Sequence, residues 1–226
     1  MPLRRAAVPL VAMTRANSER CSLRRVALFA LLAWLALLAG CSETPRLESL
    51  DPNARILAFG DSLTHGVGAT PEQAYPAVLA RLSGREVIAS GEPGETAAEG
   101  RKRLPRVLDR VEPDLLILCH GGNDILRGND LAAAAADLTA MVELAQARGI
   151  EVVLVAVPAR SLFADTADLY YDVAEAHDVP LEDEVLADII DDSELRSDRV
   201  HPNAAGYRRM AQAIHELLVR AGALED

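Results

Sequence analysis

Cysteine is scarce in this chain: only Cys21, Cys41 and Cys119 occur in 226 residues. No two of them form a closely spaced metal-type pair, and three are too few for a disulfide framework. Bases are also few, 23 against 34 acids. Binding nucleic acid needs a basic footprint to meet the phosphates, and that balance argues against such a partner. The longest apolar run, "VALFALLAWLALLAG", is short for a membrane span, which takes roughly 20 residues. No G-x-S-x-G is present, which speaks against the nucleophile elbow of the standard α/β-hydrolase architecture. There is no internal repeat. The alanine-rich "LAAAAADL" at 131–138 reads as local helix propensity.

What is there divides unevenly. Hydrophobic residues make up 50% and charged residues 25% of the chain, the balance of one globular domain of ordinary size. Residues 1–40 stand apart from it. They hold six arginines and one acid, Glu19, and the apolar run directly follows Arg24 and Arg25. A basic stretch ahead of a short apolar one is a secretory signal. The run ends in "LLAGC", Leu37 to Cys41, which resembles a bacterial lipobox. The resemblance implies cleavage before Cys41, lipidation of Cys41, and a protein anchored to the cell envelope, on the periplasmic side in a Gram-negative organism. Ser42 then resembles an outer-membrane sorting context. The region before the apolar run is long, which makes Met13 an alternative start. Without residues 1–40 the formal charge moves from −11 to about −16. Such a body is repelled by anionic lipid, so membrane contact falls to the anchor. Residues 42–54, "SETPRLESLDPNA", are polar and read as the tether. The domain itself is expected over 55–226.

Four apolar runs look like buried strands: "RILAFG" (55–60), "EVIAS" (86–90), "DLLILCH" (114–120) and "EVVLVAV" (151–157). They are continuous rather than alternating, which fits strands covered on both faces. A fifth, weak strand is placed near Val179 to Leu181. Helical spacing appears over 72–83, 96–110 and 130–148, the last closed by Gly149. A final helix from about Asn203 puts Tyr207, Met210, Ala211, Ile214, Leu217 and Leu218 on one face. Strand and helix alternate, so the expected class is α/β, a three-layer α/β/α sandwich on a mostly parallel, flavodoxin-like sheet of about five strands. Ligands bind beyond the carboxyl ends of the strands in such sheets. Those ends carry Gly60-Asp61-Ser62, then "SGEPGETAAEG" with Gly94, then "HGGNDILRG" with Asn123, then Pro158, Arg160 and Ser161. "SDRVHPNAAGY", with Asp198 and His201, precedes the last helix.

Four of these blocks, "GDSLT", "PGETAAEG", "GGND" and "DRVHPN", resemble the SGNH (GDSL-type) hydrolases, over nearly the whole domain from about Arg55. The branch most resembled contains bacterial arylesterases, lysophospholipases and acyl thioesterases. The resemblance implies serine-dependent hydrolysis of acyl esters without a cofactor. The chemistry needs a nucleophile, a proton carrier, a group that orients the carrier, and donors for the oxyanion. Ser62 is the candidate nucleophile. His201 is the base, since an imidazole with an unperturbed pKa of about 6.5 titrates near working pH. Asp198, three residues earlier, can fix its tautomer. The backbone N–H groups of Ser62 and Gly94 and the side-chain amide of Asn123 are the candidate oxyanion donors. Taken alone, Ser62 reads as a helix N-cap, Asn123 as a turn residue, and Asp198 and His201 as a lead into the last helix. Their joint placement at strand ends favours the catalytic reading. Asp61 and Asp124 read as braces of backbone turns.

His65 and His120 lie inside the motif blocks, as pocket lining or, with His201, as metal ligands. No ligand spacing accompanies them, so no metal site is assigned. His177 and His215 fall in helices, and Cys119 in an apolar run as buried packing. "VPARSLFADTADLYYD" is expected to border the acyl pocket, with Leu162, Phe163, Leu169, Tyr170 and Tyr171 as lining; core packing on a helix is an equal alternative for the last three. The expected activity is a serine esterase for small or single-chain acyl esters. Alternatives are a carbohydrate O-deacetylase of the envelope and a non-catalytic binding lipoprotein. Oxygen esters and thioesters both fall within this expectation.

Overall fold

A computed structural model describes residues 44–158 and 168–225. The signal segment, Cys41, Leu162 and Phe163 lie outside the described residues. Five strands form one all-parallel sheet: β1 (Arg55–Gly60), β2 (Glu86–Gly91), β3 (Leu115–Cys119), β4 (Glu151–Val155) and β5 (Leu181–Glu182), in the order β2-β1-β3-β4-β5. The eight helices among the described residues are α1 (Ser62–His65), α2 (Tyr75–Ser83), α3 (Ala97–Val111), α4 (Gly122–Arg127), α5 (Leu131–Gln146), α6 (Leu169–His177), α7 (Val185–Asp191) and α8 (Ala204–Arg220). None is long and apolar enough to cross a membrane.

The apolar strands divide their side chains between two cores. Ile56, Ala58, Leu115, Ile117 and Cys119 point to one face, where Tyr75 and Leu79 of α2 and Met210, Ile214 and Leu218 of α8 cover them. Leu57, Phe59, Leu116, Leu118 and Leu154 point to the other, under Leu104 and Leu108 of α3, Leu138 and Met141 of α5, and Tyr170 of α6. Each fully buried aliphatic side chain contributes about 1.5–3 kcal/mol. Strands used on both faces must be apolar throughout, and β3 is buried along its whole length. The edge strand β2 differs: none of its residues is fully buried. Val87 packs against one core and Ile88 against the other, each only partly buried.

Two boundaries depart from expectation. Strand β3 ends at Cys119, before His120, and β4 ends at Val155, before Ala156 and Val157, because the chain turns out of the ladder to build the strand-end loops. The segment read as a tether is docked from Leu47 onward. Leu47 N–H donates to Ala221 O and Leu50 N–H to Ala223 O, both at 2.9 Å, and Leu50 and Ala54 are buried. The polar look of "SETPRLESLDPNA" hid two side chains, Leu50 and Ala54, that join the core shared by β1, α2 and α8.

Register brings the strand ends to one level. Gly60 of β1 lies opposite Gly91 of β2 and Cys119 of β3. The connections from β1 and β3 leave on opposite sides, so the crevice opens between these two strands. Gly60 is required there, since a Cβ would stand 2.1 Å from Cys119 O and 2.4 Å from Thr64 Oγ1.

Candidate active site

The Asp61 carboxylate ends β1 and starts α1. It accepts the Leu63 N–H at 3.1 Å and so serves as the N-cap. Ser62 therefore occupies the first helical position with its hydroxyl uncommitted to capping. His201 comes from the other end of the chain, on a short loop closed by Ser197 N–H donating to His201 O at 2.9 Å and by a bridge between Arg196 and Pro202. Asn203 ends that loop by capping α8 through the N–H groups of Ala205 and Gly206.

His201 Nε2 lies 3.0 Å from Ser62 Oγ, and His201 Nδ1 lies 2.8 Å from Asp198 Oδ2. A carboxylate accepts only, so Nδ1 carries the proton and the Nε2 lone pair faces the serine hydroxyl. The other Asp198 oxygen accepts the N–H groups of Val200 and His201 at 2.8 and 2.9 Å. Burial pulls the Asp198 carboxyl upward, but the His201 ring and these two N–H groups outweigh it and hold it below the ordinary value. The three-residue spacing thus does two jobs, orienting the ring and turning the loop.

The oxyanion candidates are not equally placed. Asn123, in α4, has its amide nitrogen 3.0 Å from both Asp61 Oδ2 and Glu95 O. It lines the cavity beside Ser62, but both amide protons already have acceptors. An oxyanion there would share one of them. The N–H groups of Ser62 and Gly94 have no partner among the described residues. Gly94 adopts φ +85°, a conformation that favours glycine, and its carbonyl accepts Arg127 Nη2 at 2.6 Å. Gly94 does not line the cavity itself; its loop reaches the site through Glu95 O.

Asp61 is nearly inaccessible. Burial pushes its carboxyl up, against the opposing pull of His120, the Leu63 N–H, His201 and Asn123. The expectation of a brace describes it well, with the addition that it grips Asn123. Asp124 braces too, accepting Ala97 N–H at 2.8 Å and Asn129 Nδ2 at 3.0 Å.

His65 is exposed at the end of α1 and does not line the cavity. His120 is fully buried, but away from the cavity: Nε2 lies 3.0 Å from Glu95 Oε2, and Nδ1 accepts Gly121 N–H at 3.2 Å. Glu95 is also gripped by Arg103, through Oε1 at 2.8 Å and Oε2 at 2.6 Å. Burial opposes ionisation of Glu95, yet the His120 and Arg103 contacts prevail and lower it to about 2. Sequence reasoning overlooked Glu95 and Arg103. The signal was available: Arg103 falls between Gly100 and Val107 on the buried face of α3, where a charge needs a partner. Among the described residues no three His, Cys, Asp or Glu side chains converge as metal ligands.

The cavity at Ser62 has a volume of about 310 Å³. Its apolar wall is made by Leu63, Ile125, Leu126, Val157, Leu186 and Ile190, with Asp191, Arg196 and Arg199 also on it. Residues 169–171 do not line the cavity, and the core-packing alternative holds for the first two. Leu169 and Tyr170 are buried in the core, and Tyr171 points outward with its hydroxyl 2.8 Å from Asp183 Oδ2. Helical periodicity in α6 directs the first two to the sheet; Val157 and Pro158 border the cavity instead.

Residues 58–209 match the GDSL-like Lipase/Acylhydrolase family. The chain belongs to that family. As an SGNH-type protein it is a carboxylic ester hydrolase. Relatives include an arylesterase of Vibrio mimicus, 30% identical over 177 residues covering 74% of this chain and 88% of that one. The thioesterase 1/protease 1/lysophospholipase L1 of Escherichia coli strain K12 is 28% identical over 156 residues, 66% of this chain and 75% of that one. The crystal structure of AlinE4, an SGNH-hydrolase family esterase, superposes with a TM-score of 0.59 at 34% identity, covering 76% of this chain and 98% of that one. The matched span begins just before Ser62 and ends just after His201, so this SGNH hydrolase carries all four motif blocks inside it.

Proposed function

We propose that this SGNH hydrolase is a serine esterase for small or single-chain acyl esters, acting through an acyl-enzyme on Ser62. The observation that carries the reading is the chain Ser62–His201–Asp198, linked at 3.0 and 2.8 Å, opening onto an apolar cavity. Ser62 Oγ attacks the acyl carbon as His201 Nε2 takes its proton. The C–O bond of the ester then breaks, and His201 returns the proton to the departing alkoxide. Water repeats the sequence on the acyl-serine, releasing the acid and restoring the serine. The negative oxygen of each tetrahedral intermediate is met by Ser62 N–H, Gly94 N–H and the Asn123 amide. Asn123→Ala should lower kcat by about 10²- to 10³-fold, the usual effect of losing one such donor. Steady-state kinetics with KM resolved from kcat would check it.

A volume of about 310 Å³ is at the small end of ligand sites, roughly 300–1,000 Å³. Its mainly apolar wall suits an aryl or short acyl group better than a sugar. A p-nitrophenyl ester series is expected to give the highest kcat/KM at short acyl chains and little turnover of acetylated sugars. Preference for acetylated xylo-oligosaccharide would favour the O-deacetylase alternative instead. Thioesters fit the same geometry and belong in the series. The run ending in "LLAGC" supports attachment to the cell envelope by a lipid on Cys41, with the domain outside the membrane.

A further inference from the structure

Three connections leave the sheet at the site, and one buried cluster ties them together. Arg103 Nη2 donates to Gly60 O at 3.1 Å, two residues before Ser62. Its guanidinium also grips Glu95, the residue after Gly94, through both carboxylate oxygens. Glu95 Oε2 in turn accepts His120 Nε2 at 3.0 Å, three residues before Asn123. Because His120 Nδ1 accepts Gly121 N–H, the ring proton is on Nε2, facing Glu95. Around this core, Arg103 lies 4.0 Å over the Phe59 ring and donates to Ser90 Oγ at 2.7 Å. Tyr170 donates to His120 O at 2.8 Å. Gly100 leaves space for the imidazole, since a Cβ there would stand 2.4 Å from His120 Nε2.

We propose that Glu95, clamped between Arg103 and His120, is a positioning residue that sets the three oxyanion donors against one another. The inference rests on the esterase reading. Each partner of the clamp touches the backbone leading to a different donor, and Glu95 O itself orients the Asn123 amide. The ion pair is nearly dry, with side chains 13% and 11% exposed for Arg103 and Glu95 and 0% for His120, so water does not substitute for a lost partner. The lowered carboxyl of Glu95 keeps the clamp ionised throughout the neutral range. None of the three residues lines the acyl cavity. Loosening the clamp therefore misplaces the donors without changing the surface that holds the acyl group.

The test compares wild type, Glu95→Gln and the double variant Glu95→Gln/Arg103→Met on one p-nitrophenyl ester, with thermal melting alongside. The double variant removes both charges, so a folded protein is obtained even where Glu95→Gln alone leaves Arg103 unpaired and unfolds. Expected is a fall in kcat of about 10²-fold, the scale of a donor misplaced by about 1 Å, with KM within about twofold. The ratio to wild type should hold from about pH 6 to pH 9, where Glu95 is ionised throughout. Wild-type kcat in either folded variant, or a rise in KM with kcat unchanged, overturns the clamp while leaving the Ser62 reading intact. If wild type itself turns over no ester or thioester, the esterase reading fails and takes the clamp with it.

Discussion

Replacing Ser62 with alanine is expected to lower kcat on p-nitrophenyl esters by roughly a million-fold, to the level left by the oxyanion donors and binding alone. The loss is large because, in the proposed acyl-enzyme mechanism, the serine supplies the bond that divides one difficult hydrolysis into two easier steps. Stability should hardly change. Asp61, not Ser62, caps α1, and among the described residues the serine hydroxyl has one hydrogen-bond partner, His201. A typical hydrogen bond contributes about 1 kcal/mol net, so the variant should melt within a few degrees of wild type. Ser62→Ala combined with His201→Ala should be scarcely worse than either alone, since residues that act as one unit lose their effect together. Multiplicative losses in that cycle would mean that the two side chains act independently.

Asp198→Asn is expected to cost between about 10²- and 10⁴-fold in kcat with KM little changed. The upper figure applies to a fully buried orienting carboxylate. Here the Asp198 side chain is 53% exposed, so solvent screens part of its attraction for the imidazolium. The geometric part remains in full. Asp198 accepts both the ring proton and the N–H groups of Val200 and His201, and an amide has only one oxygen for these donors. Either the loop turn or the ring tautomer must give way. Since the Asp198 carboxyl lies below its ordinary value, it is ionised throughout the neutral range. Its protonation therefore does not limit wild-type activity in the neutral range, and the wild-type to Asp198→Asn ratio should be flat there. A ratio that collapses toward unity near neutral pH would show the carboxylate to be already protonated.

Much of this was legible in the chain itself, for a physical reason. Strands covered on both faces must be continuously apolar, which made β1, β3 and β4 visible, and a parallel sheet sends its carboxyl ends to one side. Three polar blocks at those ends, with a fourth just before the last helix, could then share one layer. Side chains that work through tertiary partners were harder to see. His120 looked like pocket lining because proximity in sequence to Asn123 does not tell inward from outward, and its partner Glu95 lies 25 residues away. The commitment of the Asn123 amide to Asp61 and Glu95 depends on approach between three loops, which no local pattern encodes. Leu47 to Ala54 looked like a tether because two buried apolar residues are too few to make a period.

Labelling with an alkyl phosphonate, followed by peptide mass spectrometry, puts the role of Ser62 to a single test. One adduct per chain is expected, on the peptide bearing Ser62, with hydrolytic activity lost in proportion to its formation and no adduct in Ser62→Ala. A protein that hydrolyses esters while Ser62 stays unlabelled, or that stays active once Ser62 is fully modified, would contradict nucleophilic catalysis by this serine.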